Sequence, residues 1–139
     1  SAIQDPDTAQ WWTTQPEAWE ACRNDTVDPH DAMDDYRTWL SQYENPVFVA
    51  YPAGFDFLFV YWYLIRFGGY SPFSFSAFDM KTAAAIAANK PYRKATKRNL
   101  PKAWTNSGLP HTHIAEDDAR EQAHMFFQIL KAAKYGENR

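Results

Sequence analysis

The stretch Leu109-Pro110-His111-Thr112-His113-Ile114-Ala115-Glu116-Asp117-Asp118-Ala119-Arg120-Glu121-Gln122-Ala123 joins a proline-stiffened approach to the start of a helix. The first turn of that helix holds three carboxylates, which a helix N-terminus tolerates because its unpaired N–H groups and dipole are positive there. Ordinary capping accounts for part of that cluster. It does not account for a histidine just upstream. From Ala115 onward, Ala115, Ala119, Ala123, Phe126, Phe127 and Leu130 predict one core-facing stripe, and the helix is expected to end near Gly136.

At 139 residues, 45% hydrophobic and 17% aromatic, the sequence is expected to form one domain over 1–139 with a sizeable core. Its longest apolar run, Phe57 to Ile65, is far short of the roughly 20 residues that span a membrane. No secretory signal pattern is read, and the single Cys22 leaves no internal disulfide and no cysteine-rich zinc site. A reducing, cytoplasmic setting is the expectation. The net charge of −3 argues against a protein that coats nucleic acid by bulk electrostatics. The charge is uneven, however. Residues 1–44 hold ten of the seventeen acids with only Arg23 and Arg37 as bases, whereas residues 90–102 hold Lys90, Arg93, Lys94, Lys97, Arg98 and Lys102 and no acid.

Asp5-Pro6-Asp7-Thr8 opens with capping residues and runs into Trp11 and Trp12, which predicts a short helix. Thr14-Gln15-Pro16-Glu17 has the spacing of a capping box, so a second short helix should carry Ala18, Trp19 and Cys22. Asp28-Pro29 starts a third, with Ala32, Tyr36, Trp39, Leu40 and Tyr43 at intervals of three and four, and Asn45-Pro46 stops it. Val47 to Tyr51 reads as a buried strand between prolines.

After a turn at Gly54, Phe55, Leu58, Phe59 and Trp62 form a helical stripe, and Gly68-Gly69 closes that helix. Asp56 is then a lone carboxylate in the first turn of a nearly all-apolar helix. A charge there costs several kcal/mol unless it is paired or bound to a metal. It is either a capping residue or a metal ligand. Phe73 to Phe78 alternates like a strand, and Asp79 should cap a helix over Met80 to Ala88. Residues 89–112, broken by Pro91, Pro101, Gly108 and Pro110, predict a loop with at most a short helix. Its basic residues, Tyr92 and Trp104 suit backbone contacts and base stacking on a single strand, or else a solvated linker.

Two of these stretches resemble a known family. His113-Ile114-Ala115-Glu116-Asp117-Asp118-Ala119 resembles the third motif, His-x-Ala-x-x-Asp-Ala, of the DEDDh 3′–5′ exonucleases. Strand, short turn, Phe55-Asp56 and apolar helix is similar to the layout of their second motif, with Pro52-Ala53-Gly54 where many members have Asn-x-x. The segment Asp7-Thr8-Ala9-Gln10-Trp11-Trp12-Thr13-Thr14-Gln15 resembles one that follows the initial three-stranded meander in mycobacterial exoribonuclease-like and phage members. The family's first motif, Asp-x-Glu, occurs nowhere in these residues.

The resemblance implies an α/β, ribonuclease H-like exonuclease fold that is incomplete, the first three strands of its mixed sheet being absent. It implies His113 as general base, Asp56 and Asp118 as ligands to two Mg²⁺ or Mn²⁺ ions, and Phe55, Lys97 and Arg98 as substrate contacts. The activity implied is 3′–5′ exonucleolytic hydrolysis of single-stranded RNA or DNA. Without Asp-x-Glu it should be impaired in this chain alone. The expected partner is a single-stranded 3′ end, and no membrane. The missing strands are expected from truncation or proteolysis, from a homodimer mate or partner segment that supplies them, or from a degenerate domain that has replaced them. A second reading is a catalytically inactive nucleic-acid-binding or scaffold module. A third treats His111-Thr112-His113 and a downstream aspartate as a zinc site, with no third ligand at a usual spacing.

Overall fold

A computed structural model describes residues 4–135. Four helices fall where capping and periodicity put them: α1 over Pro6–Trp12, α2 over Pro16–Ala21, α3 over Pro29–Leu40 and α4 over Ala53–Gly68. Asp5 caps α1 through the Thr8 N–H, Asp28 caps α3 through the His30 N–H, and Gly69 ends α4 in the left-handed conformation at φ 81°. The capping box at Thr14 does not form. Gln15 occupies the N-cap of α2 without a side-chain bond, and the Thr14 hydroxyl donates to the Trp11 carbonyl instead.

The strands are much shorter than the apolar runs suggest. β1 is Val49–Ala50 and β2 is Phe78–Asp79, paired in parallel with Val49 opposite Phe78 and Ala50 opposite Asp79. With α4 as the crossover this is a single β-α-β unit. The alternating segment before β2 cannot extend it, because Ser74 turns the chain at φ 59° and Phe75 is left 84% exposed. Among the described residues no third strand pairs with either edge. Gly54 lies inside the first turn of α4 and not in a turn before it.

Helix α5, Met80–Ala87, follows β2 directly, and the 21-residue α7, Ala115–Tyr135, packs against it. Gly136 lies outside the described residues. Between them the basic segment is more ordered than its prolines imply. It forms two 3₁₀ turns, Tyr92–Lys94 and Lys97–Asn99, and the four-residue α6, Lys102–Thr105, and it buries Ala95 and Leu100 in the main core with Met80, Ala84, Met125 and Ile129. A smaller core joins Leu40, Leu64 and Phe73 between α3 and α4. The opposite side of α4 is open: Phe55, Leu58, Phe59 and Trp62 are all more than half exposed. No helix among the described residues is long and apolar enough to cross a membrane.

Tyr51, just past β1, ties the sheet to the basic segment by donating its hydroxyl to the Ala95 carbonyl. Burial, with the charge of Asp79 and the nearby Tyr92, pushes its phenol up to about 12. The unfolded value is about 10, so the stabilisation held by the neutral phenol is complete below that pH and is lost as pH rises toward the folded value. Tyr51→Phe is expected to cost about 1 kcal/mol at neutral pH and to flatten the alkaline decline. Urea unfolding of both proteins across that range checks this, and parallel declines would refute it.

Candidate active site

Asp118, Gln122, Met125 and Ile129 follow one another at intervals of four, three and four, so they share one face of α7. Met125 and Ile129 are buried in the core, and the Gln122 side-chain carbonyl accepts the Tyr51 N–H at 3.0 Å. These contacts fix the rotation of the helix. Gln122 thus meets the carboxyl end of β1, the side of a parallel sheet where ligands usually bind, and Asp118 lies one turn earlier on the same helix face. The alanine stripe does not face the core: Ala115, Ala119 and Ala123 are exposed. The heavier residues Met125 and Ile129, with more apolar area to hide, set the buried face instead.

The acids of the first turns then separate by partner. Glu116 pairs with Arg120 at 2.6 Å, and Asp117 accepts the Thr112 hydroxyl at 2.7 Å. Glu121 Oε2 lies 2.8 Å from His111 Nδ1 and 3.5 Å from Lys97 Nζ. Asp118 is different. Its Oδ1 is buried with no hydrogen-bond partner among the described residues, 3.6 Å from His111 Nδ1.

His113 is held in the left-handed region at φ 60°, where a non-glycine residue is uncommon and functional sites concentrate. Its ring meets that of His111 edge-on at 4.3 Å between centroids and that of Trp11 at 4.9 Å. His111, His113 and Asp118 each present a ligand atom, and all three atoms lie within 4.8 Å of one another. The structure therefore brings His113 and Asp118 into one group and adds His111 to it.

Asp56 is not a member of that group. It sits half-buried in the first turn of α4, and burial pushes its carboxyl above the ordinary range, offset in part by a hydrogen bond from its own backbone. It is not the cap of α4 either. The N-cap position is Pro52, and the carboxylate that serves the helix start comes from Asp79, whose Oδ2 accepts the Ala53 N–H at 2.7 Å. The other oxygen of Asp79 accepts from the Thr82 N–H and hydroxyl. Burial raises the Asp79 pKa, but the bonds from Thr82 and Ala53 and the charge of Lys81 outweigh it and hold the group below the usual carboxylate range. Gly54, Phe57, Asp79, Thr82 and Tyr92 line a cleft of about 430 Å³ beside this helix start.

Phe55 and Arg98 are exposed, while Lys97 is partly covered and faces Glu121. Tyr92 is half-exposed on the cleft wall. Trp104 is not available for stacking in the same way, since it packs on the main core. Trp11 and Glu121 are neighbours that spacing alone does not single out for the site, whereas His111 is the residue that the zinc reading of His111-Thr112-His113 names. The signal for Glu121 was its place one turn past Asp118, three residues on, where side chains share a helix face.

No protein-family model matches the chain. The sequence is 31% identical over 117 residues to the 3′–5′ DNA exonuclease Cap18 of Escherichia coli, an alignment that covers 79% of this chain and 60% of that protein. The chain thus spans about three fifths of the relative's length. At this level it is related to an exonuclease.

Proposed function

We propose that the chain carries the histidine and aspartate side of a two-metal 3′–5′ exonuclease site on an incomplete ribonuclease H-like fold, acting on single-stranded nucleic acid. The observation that carries this reading is the approach of His113 to Asp118, whose buried Oδ1 has no partner among the described residues. The relative's name supports it and makes single-stranded DNA the first substrate to test.

The donor chemistry fits one hard divalent ion at Asp118, since an unpartnered buried carboxylate oxygen is what Mg²⁺ or Mn²⁺ takes. Asp56 is the proposed second carboxylate, its burial-raised pKa marking a charge that a cation would stabilise. When bound, such ions supply Lewis-acid activation of water and neutralise charge on the phosphate. His113 takes the proton of the attacking water as its oxygen bonds to phosphorus and the bond to the leaving 3′ oxygen breaks; that oxygen leaves with a proton from solvent. The Trp11 edge and the left-handed backbone hold the imidazole in place for this transfer. Arg98 and Lys97 meet the phosphate backbone, and Phe55 and Tyr92 offer faces to bases.

No Asp-x-Glu is present in these 139 residues, so the carboxylate set is short and trimming by this chain alone is expected to be slow. The test is Mn²⁺-dependent trimming of a 3′-labelled single strand: slow release that stops with chelator supports the reading, and chelator-insensitive release overturns it. The same shortage favours the second reading, a binding module without catalysis, which expects oligonucleotide binding indifferent to chelator. In either case Arg98→Ala should weaken single-strand binding and lower the slope of log affinity against log salt by about 0.7. An unchanged slope would remove Arg98 from the interface.

A further inference from the structure

We propose that His111, His113 and Asp118 form a site for a single divalent cation of the zinc class. Three ligand atoms from two imidazoles and one carboxylate lie within 4.8 Å of one another. Tetrahedral zinc with bonds of about 2.0–2.1 Å separates its donors by about 3.3 Å, somewhat closer than these atoms stand without an ion. Imidazole nitrogen favours zinc, copper, nickel and iron(II) over Mg²⁺ or Ca²⁺, which take oxygen.

Two further observations point to an ion there. Asp118 Oδ1 is buried without a partner among the described residues, 3.6 Å from His111 Nδ1, and a buried carboxylate oxygen in that condition calls for a cation. His111 is also held from the side: its Nδ1 lies 2.8 Å from Glu121 Oε2, a carboxylate contact of the kind that orients metal-binding histidines. The turn between the imidazoles is pinned as well. The Thr112 hydroxyl donates to Asp117 and accepts the Ile114 N–H, and His113 holds φ 60°. Glu121 is the positioning residue of the site.

The inference stands on this geometry and does not rest on the exonuclease reading. Where both hold, they alternate: an imidazole nitrogen of His113 given to the ion is not available to take a proton from water.

Co²⁺ serves as the probe, because its visible ligand-field absorption reports four- or five-coordinate binding independently of any activity. Titration of the chain is expected to saturate at one Co²⁺, displaced by one Zn²⁺ and not by excess Mg²⁺. His111→Gln and Asp118→Asn should each weaken binding at least tenfold, and Glu121→Gln by about 10–100-fold. In NMR spectra, Zn²⁺ should move the ring signals of His111 and His113 and leave those of His30 and His124. Absence of saturable binding, undiminished binding by His111→Gln, or movement of His30 or His124 in place of the pair would overturn the site. Thermal melts check that each variant is folded, above all Glu121→Gln, whose side chain is 15% exposed.

Discussion

His113→Ala is expected to reduce Mn²⁺-dependent 3′ trimming by about 10²–10⁴-fold, the usual contribution of a positioned general base. The wild-type rate is itself expected to be low, so the loss reads as trimming that falls to the background of the oligonucleotide alone. The backbone complicates the substitution. Residue 113 sits at φ 60°, a region in which histidine and asparagine are enriched and alanine is not, so alanine is the more strained replacement. His113→Asn is therefore the better control, because asparagine tolerates the left-handed region and cannot act as a base. Both variants should lose trimming, and only the alanine variant should melt at a lower temperature. Trimming by His113→Asn at the wild-type rate would show that the imidazole takes no part in the chemistry.

Asp79→Ala is expected to destabilise the fold by about 2–4 kcal/mol, since one carboxylate serves two helix starts. Its Oδ1 accepts from the Thr82 N–H and hydroxyl at the start of α5, and its Oδ2 from the Ala53 N–H at the start of α4. Removing it leaves donors at both starts without their acceptor. The pH dependence follows from the direction of its shift. The folded pKa lies below the unfolded value of 3.8, so this stabilisation is present above that pH and is lost as pH falls through the lowered folded value. Urea titrations of wild type and Asp79→Ala should differ most at neutral pH and converge in acid. A constant difference down to low pH would mean that the charge is irrelevant and that the residue acts only by packing.

The helices were legible because their signals are local. Asp5, Asp28 and Asp79 cap the helices that they precede, and the glycines after Phe67 end α4. The strands were not. Val47–Tyr51 and Phe73–Phe78 have the composition of strands, but only two residues of each find a partner, because pairing depends on chain segments distant in sequence. The rotation of α7 is hidden for a related reason: the alanines repeat at helical spacing, yet what turns a helix is the larger apolar area at Met125 and Ile129.

At the site, the His113 and Asp118 spacing was visible along the chain, since five residues across a helix start can reach one another. The arrival of Trp11 from the opposite end was not. Nor could spacing show that Asp79 would relieve Asp56 of a capping role. That reassignment needs the two strand ends side by side, so that a carboxylate on β2 reaches the helix that leaves β1.

The most direct test of the central claim is a time course on a labelled single-stranded oligonucleotide with Mn²⁺, comparing the wild-type chain with Asp118→Asn. The wild type is expected to release nucleotides stepwise from the 3′ end, with the ladder absent in Asp118→Asn and in chelator. Equal ladders from the two proteins, or shortening from the 5′ end, would contradict a 3′–5′ exonuclease site with its divalent ion at Asp118 and His113 as its base.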